Sequence, residues 1–170
     1  MSEELNAHIL HEVKTNGVMN TVFNGGIAFL LLKGGENLTL RGDIIVDLMA
    51  TGAILLFIVS LILIPLNRSK VAKGKLTAHN WDTNKLLHRW LQRFPKSLFA
   101  RALIFALVGL LVIAPLTAGA LFVVGATEFS PLAYSIFKGL WAGLMAAMMT
   151  VPMVLVGTAN TEDQQTLDPV

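Results

Sequence analysis

The chain has 170 residues, 54% of them hydrophobic and only 14% charged, with a formal net charge of +2, and its mean hydropathy is +0.65. Soluble domains carry roughly 25% charged residues, so the composition argues against a soluble fold and for a helical membrane protein. The lack of cysteine excludes disulfides, iron–sulfur clusters and thiolate metal sites, and nothing in the sequence implies a cofactor.

Four apolar segments, 7–32, 44–66, 98–125 and 132–157, each reach the ~20 residues that a helix needs to cross the hydrocarbon layer. They are apolar nearly all round, unlike the helices of a soluble bundle. The expected fold is all-α: a polytopic integral membrane protein, one membrane domain over 1–170, with four transmembrane helices. The start carries Glu3 and Glu4 and no basic run, so no cleaved signal peptide is expected and the first segment serves as an anchor.

The first helix is expected to begin ahead of the bilayer, because Leu5, Ile9, Glu12 and Val13 continue its helical pattern, and to end at Lys33, Gly34 and Gly35. The second starts near Asp43, which suits the positive end of a helix, and closes at Pro65. Between the second and third segments, residues 65–101 hold nine of the 13 basic residues (Arg68, Lys70, Lys73, Lys75, Lys85, Arg89, Arg93, Lys96 and Arg101) against one acid, Asp82. Short Lys- and Arg-rich loops stay on the cytoplasmic side. With four spans, the 67–97 connector and both termini are then cytoplasmic, and the short loops near 33–43 and 125–131 lie outside. Chain size and short connections suggest a bacterial inner membrane.

Within the connector, Leu86, Leu87, Trp90 and Leu91 form an apolar stripe extended by Phe94, with Lys85, His88, Arg89, Gln92 and Arg93 mostly opposite. This pattern predicts an amphipathic cytoplasmic interfacial helix at 82–94, with Trp81 and Trp90 at headgroup depth and its cations against anionic lipid. Topology alone accounts for the positive charge, so no nucleic-acid partner is expected. The third span carries Pro115, predicted to bend it; Ser130 and Pro131 open the fourth, and Pro152 loosens its end. The tail at 158–170 is polar and expected to be flexible.

Polar residues inside the spans are the candidate site. Asn16, Asn20 and Asn24 recur every four residues and share one slowly rotating face. Their carboxamides are costly in lipid and must meet protein or water. Thr150, Ser60 or the backbone near Pro115 are the expected partners in an interhelical contact; a polar solute route and an oligomer seam are the alternatives. Asp43 and Asp47 lie one turn apart on the second helix, and Lys138 reaches a matching depth on the fourth. An Asp47–Lys138 salt bridge is expected, with Arg41 competing near the surface. Gly139, Gly143 and Ala147 make a small-residue ridge for close helix packing, preferably within the chain. Met145, Met148, Met149 and Met153 are expected to fill packing gaps.

His8, His11 and Glu12, with His79, His88 and Asp82 in the connector, form only a weak metal-binding pattern, and no metal site is expected. The motifs of hydrolases, metalloproteases and nucleotide-binding enzymes are absent; Ser60 and Ser135 lack an adjacent base, and Tyr134 suits an interfacial anchor. The chain is not expected to be an enzyme. Two functions remain: transport or permeation of a small solute or ion, in an oligomer if the pathway is continuous, or a noncatalytic membrane adaptor that binds membrane-protein partners through its helices and connector.

Overall fold

A computed structural model describes residues 2–160, and 78% of these are helical. Helix α1 (Glu3–Leu32) starts where the Ser2 hydroxyl accepts the Leu5 N–H. It ends before Gly34, whose φ of 80° lets the backbone reverse. A short strand β1 (Leu38–Thr39) and a π-helical turn (Leu40–Ile44) lead into α2 (Ile45–Ala72). The connector contains α3 (Leu86–Gln92). Then follow α4 (Leu98–Val108), a second π-helical turn (Gly109–Ile113) and α5 (Ala114–Val123), which together make one long rod. Strand β2 (Glu128–Phe129) precedes α6 (Pro131–Thr158), where Ser130 caps Ala133 N–H and Pro131 takes the first helical position.

Among the described residues, three stretches are long and apolar enough to cross a membrane: Leu40–Ala72, Leu98–Val123 and Pro131–Thr158. Helix α1, expected as a fourth, is not among them. Its apolar run is diluted by Asn16, Asn20 and Asn24, and Glu3, Glu4, Glu12 and Lys14 occupy its first half. Three expectations are corrected. Helix α2 continues through Pro65 to Ala72 and does not close at the proline. The irregularity near Pro115 is a π-helical turn just ahead of the proline, which sits second in α5; widening the turn there accommodates a residue that cannot donate to the preceding ladder. The connector helix is seven residues long, shorter than 82–94. Of the 158–170 tail, Thr158 closes α6 and Ala159 pairs with His79; residues 161–170 lie outside the described part.

The ends of the helices sort into two sets. Strands β1 and β2 pair antiparallel, Leu38 opposite Phe129 and Thr39 opposite Glu128, which joins the two short loops at one end. At the other end His79 N donates to Thr158 O (3.1 Å), Asn160 N to His79 O (3.0 Å), and Thr77 Oγ1 to Glu4 Oε2 (2.9 Å). The connector, the start of α1 and the end of α6 are thereby gathered together.

Helix α1 lies antiparallel along α6, and small residues set their separation. A Cβ added at Gly139 would come within 2.8 Å of Thr21 O and 3.0 Å of Gly25 Cα, and one at Gly143 within 2.7 Å of Gly17 O. The Gly139–Gly143–Ala147 ridge therefore packs inside the chain against Gly17, Thr21 and Gly25. A second backbone contact, Gly52 against Gly109, seats the π-helical turn on α2. Between these elements the core comprises Leu48, Leu56, Leu63 and Ile64 from α2 and Ala142, Met145, Met153 and Val154 from α6; Met149 is half-buried and Met148 exposed.

A valine at position 143 should force α1 off α6. Gly143→Val is expected to cost about 1–3 kcal/mol, a drop of roughly 3–10 °C in Tm of the detergent-solubilised protein. Gly26→Ala, where an added Cβ meets nothing within 4 Å, should leave Tm unchanged.

Candidate functional site

While α1 packs closely on α6, polar side chains link it to α2. Near the connector end, Lys70 Nζ donates to Glu12 Oε1 (2.6 Å), and His8 Nε2 donates to Asn67 Oδ1 (2.6 Å) while lying 3.8 Å from the Glu12 carboxylate. Glu12 and Asn67 are both buried. Near the strand-paired end, Asp47 is held through both oxygens. Lys138 Nζ donates to Oδ1 (2.7 Å), and the Tyr134 hydroxyl donates to Oδ2. Tyr134 and Lys138 are one turn apart on α6, so a single helix face supplies both donors. Arg41, the competing partner considered for Asp47, lies instead over the Phe122 ring. Asp43 accepts from Thr39 N and Oγ1 (2.9 and 3.1 Å), fastening the π-helical turn.

A cleft of about 500 Å³ opens beside this ion pair, lined by Ala28 and Leu32 of α1, by Asp43, Asp47 and Ala50, and by Tyr134 and Lys138 of α6. Its walls are mostly apolar, and its charged groups carry two carboxylates against one ammonium. The asparagines lie on the face of α1 between Glu12 and Ala28, and they are half-buried. Their bonds correct the expectation of interhelical partners. Each Nδ2 donates to the backbone carbonyl four residues earlier: Asn16 to Glu12 (3.0 Å), Asn20 to Asn16 (2.9 Å) and Asn24 to Asn20 (3.1 Å). Thr150 and Ser60 likewise turn to their own helices, at Ala146 O and Leu56 O.

Comparison with protein-family models, curated proteins and solved structures finds no match. The geometry of the chain alone carries the functional argument.

Several of these positions escape a sequence reading. Tyr134, taken as an interfacial anchor, is buried against Asp47. Gly17, Thr21 and Gly25 repeat the spacing seen in α6, and that signal was readable. Glu12–Lys70 joins residues 58 apart, and no local pattern announces it. Among the described residues no group of three or more His, Asp or Glu side chains is arranged to hold a metal ion.

The connector differs most from expectation. Trp81 is buried, with its ring edge-to-face against His79 (5.0 Å) and His88 (5.5 Å). His88, placed opposite the apolar stripe by the sequence pattern, points inward with Leu91, while Leu86, Leu87 and Trp90 are exposed beside Arg89 and Arg93. The His88 Nδ1 accepts the Asp82 backbone N–H (3.1 Å), which requires an unprotonated Nδ1. Burial pushes the His88 pKa down, Lys85 adds to this, and the Asp82 carboxylate opposes it. The Asn84 backbone N–H in turn holds the Asp82 carboxyl below its ordinary value.

Two predictions follow from these contacts. Because the folded pKa of His88 lies below its unfolded value, docking of the connector is fully favourable above about pH 6.5 and weakens as pH falls further through the folded pKa. Hydrogen-exchange protection across residues 76–92, corrected for the intrinsic pH dependence of amide exchange, should therefore fall between pH 8 and pH 5, less so in His88→Gln; an identical loss of protection in that variant would assign the effect to another group. At the other end, Lys138→Met should destabilise by roughly 1–3 kcal/mol, since it strands a carboxylate. Asp47→Asn combined with Lys138→Met should recover part of the loss in Tm.

Proposed function

We propose that the chain is a four-span membrane protein that mediates transport or permeation of a small solute or ion. The observation that carries this reading is a set of half-buried amides on α1 between two interhelical ion pairs. Glu12–Lys70 stands at one end, Asp47–Lys138 at the other, and Asn16, Asn20 and Asn24 occupy the interval. Asp47 and Lys70 both belong to α2, and 23 residues at 1.5 Å rise separate them by about 34 Å, close to the ~30 Å thickness of hydrocarbon. The two ion pairs thus match the two membrane boundaries, with carboxamides between.

Helix α1 supplies the fourth span. Its 30 residues extend about 45 Å, and its exposed Val18, Val22, Phe23 and Leu30 suit contact with lipid. The positive connector favours a cytoplasmic location for itself and for the helix ends gathered beside it, leaving the β1–β2 end outside; chain size and short connections suit a bacterial inner membrane. In this setting α3 rests on the anionic headgroups, with Leu86, Leu87 and Trp90 among the acyl chains and Lys85, Arg89 and Arg93 against phosphate. The same exposed apolar and basic patch favours the second reading, a noncatalytic adaptor that recruits a partner through the connector.

Reconstitution separates the two. In proteoliposomes screened with protons, monovalent ions and small metabolites, transport predicts a flux that falls at least tenfold in Asn20→Ala and in Asp47→Asn while helical content and Tm show a folded protein. Flux that persists at full rate in both variants would contradict the asparagine face as the path, and a partner crosslinked stably through α3 without any flux would favour the adaptor.

A further inference from the structure

We infer that the half-buried asparagine face of α1 is covered by the same face of a second copy of the chain, related by a two-fold axis along the membrane normal. The inference rests on α1 crossing the membrane, as proposed above. Each carboxamide has two N–H donors and one acceptor oxygen. One N–H of each of Asn16, Asn20 and Asn24 reaches the preceding turn, which leaves an acceptor and a donor on every one of the three.

Lipid tails satisfy neither, and unmet amide groups in hydrocarbon cost several kcal/mol in the absence of water. Nor is the face sealed by the chain itself: Ile27 and Leu31 continue it by helical spacing and are 52% and 78% exposed. A carboxamide is its own hydrogen-bonding complement. Two copies inserted in the same sense place Asn16, Asn20 and Asn24 at the same depths as their counterparts, so a two-fold axis matches all three levels at once. A buried Asn has the same effect in parallel coiled coils, where it selects register and the two-stranded state. A different membrane protein would need amides at the same spacing and depth. Ile27 and Leu31 form an apolar rim for this seam, and the paired faces enclose one polar passage between the Asp47–Lys138 and Glu12–Lys70 levels. The transport site is then incomplete in a single copy.

The test uses the full chain in liposomes at high lipid-to-protein ratio, with subunits counted by single-molecule photobleaching. Two bleaching steps are expected for the native sequence and one for Asn16→Leu/Asn20→Leu/Asn24→Leu, whose leucines are satisfied by lipid. The absence of native cysteine gives a second measurement that leaves the ladder nearly intact. Asn20→Cys should be joined into a dimer by a short bifunctional maleimide, whereas Val22→Cys, exposed on the other side of α1, should not. One-step bleaching of the native chain, a persistent dimer in a folded triple-leucine variant, or crosslinking at position 22 in preference to 20 would overturn the inference. If the triple variant fails to fold, the cysteine pair decides. Flux from a one-step native protein would preserve the transport reading and remove the second copy; two-step bleaching without flux would do the reverse.

Discussion

The contact on which the other features depend is the backbone approach of α1 to α6. In lipid, helices gain nothing from hiding apolar surface from one another, so association relies on packing and on small residues that admit close approach. Gly17, Thr21 and Gly25 meet Gly139 and Gly143 at distances that leave no room for a Cβ on either α6 glycine. Such a contact positions α1 by shape. Toward α2, His8 and Glu12 of the same helix bond to Asn67 and Lys70. The cleft beside Asp47 lies where α1, α2 and α6 meet.

Polar groups are handled in two ways in this bundle. Several hydroxyls return to their own helix, as Thr21 does to Gly17 O, Ser135 to Pro131 O and Thr158 to Val154 O, which gives each donor a partner within its own helix. Charges cannot do this. Asp47 recruits Lys138 and Tyr134, and Glu12 recruits Lys70, across helices. In surroundings of low dielectric a lone carboxylate is far more costly than a paired one. The asparagines fall between these solutions, half satisfied by the preceding turn and half not. That incomplete accounting makes their face the best candidate for water, solute or a second copy.

Much of the helical architecture was legible because its signals are local and strong. Long apolar runs marked Leu40–Ala72, Leu98–Val123 and Pro131–Thr158, and Ser130–Pro131 marked a helix start to the residue. Length and apolar content made 7–32 read as a span like the others, yet Asn16, Asn20 and Asn24 with Glu12 and Lys14 keep α1 out of the three most apolar helices. At the site, Asp47 and Lys138 could be aligned from helical rise because each is the sole charge in the body of its segment. Tyr134 and the Glu12–Lys70 pair could not, because their partners are set by tertiary packing. The connector misled for a related reason: helical periodicity put His88 opposite the apolar stripe and the interfacial preference of tryptophan put Trp81 at headgroup depth, but the parallel bridge between His79 and Ala159 folds the segment back over the end of α6 and both rings are buried.

The central claim is that α1 crosses the bilayer on α6 with its apolar back toward lipid. Spin-label accessibility along α1 in liposomes tests it most directly, comparing oxygen, which concentrates in hydrocarbon, with a water-soluble nickel complex. Labels at Val18, Val22 and Leu30, which are 63%, 64% and 74% exposed, should show high oxygen and low nickel accessibility, while a label at Thr21 on the α6 contact should show little of either. High nickel accessibility at all three exposed positions would mean that α1 lies in water, and would contradict the four-span account.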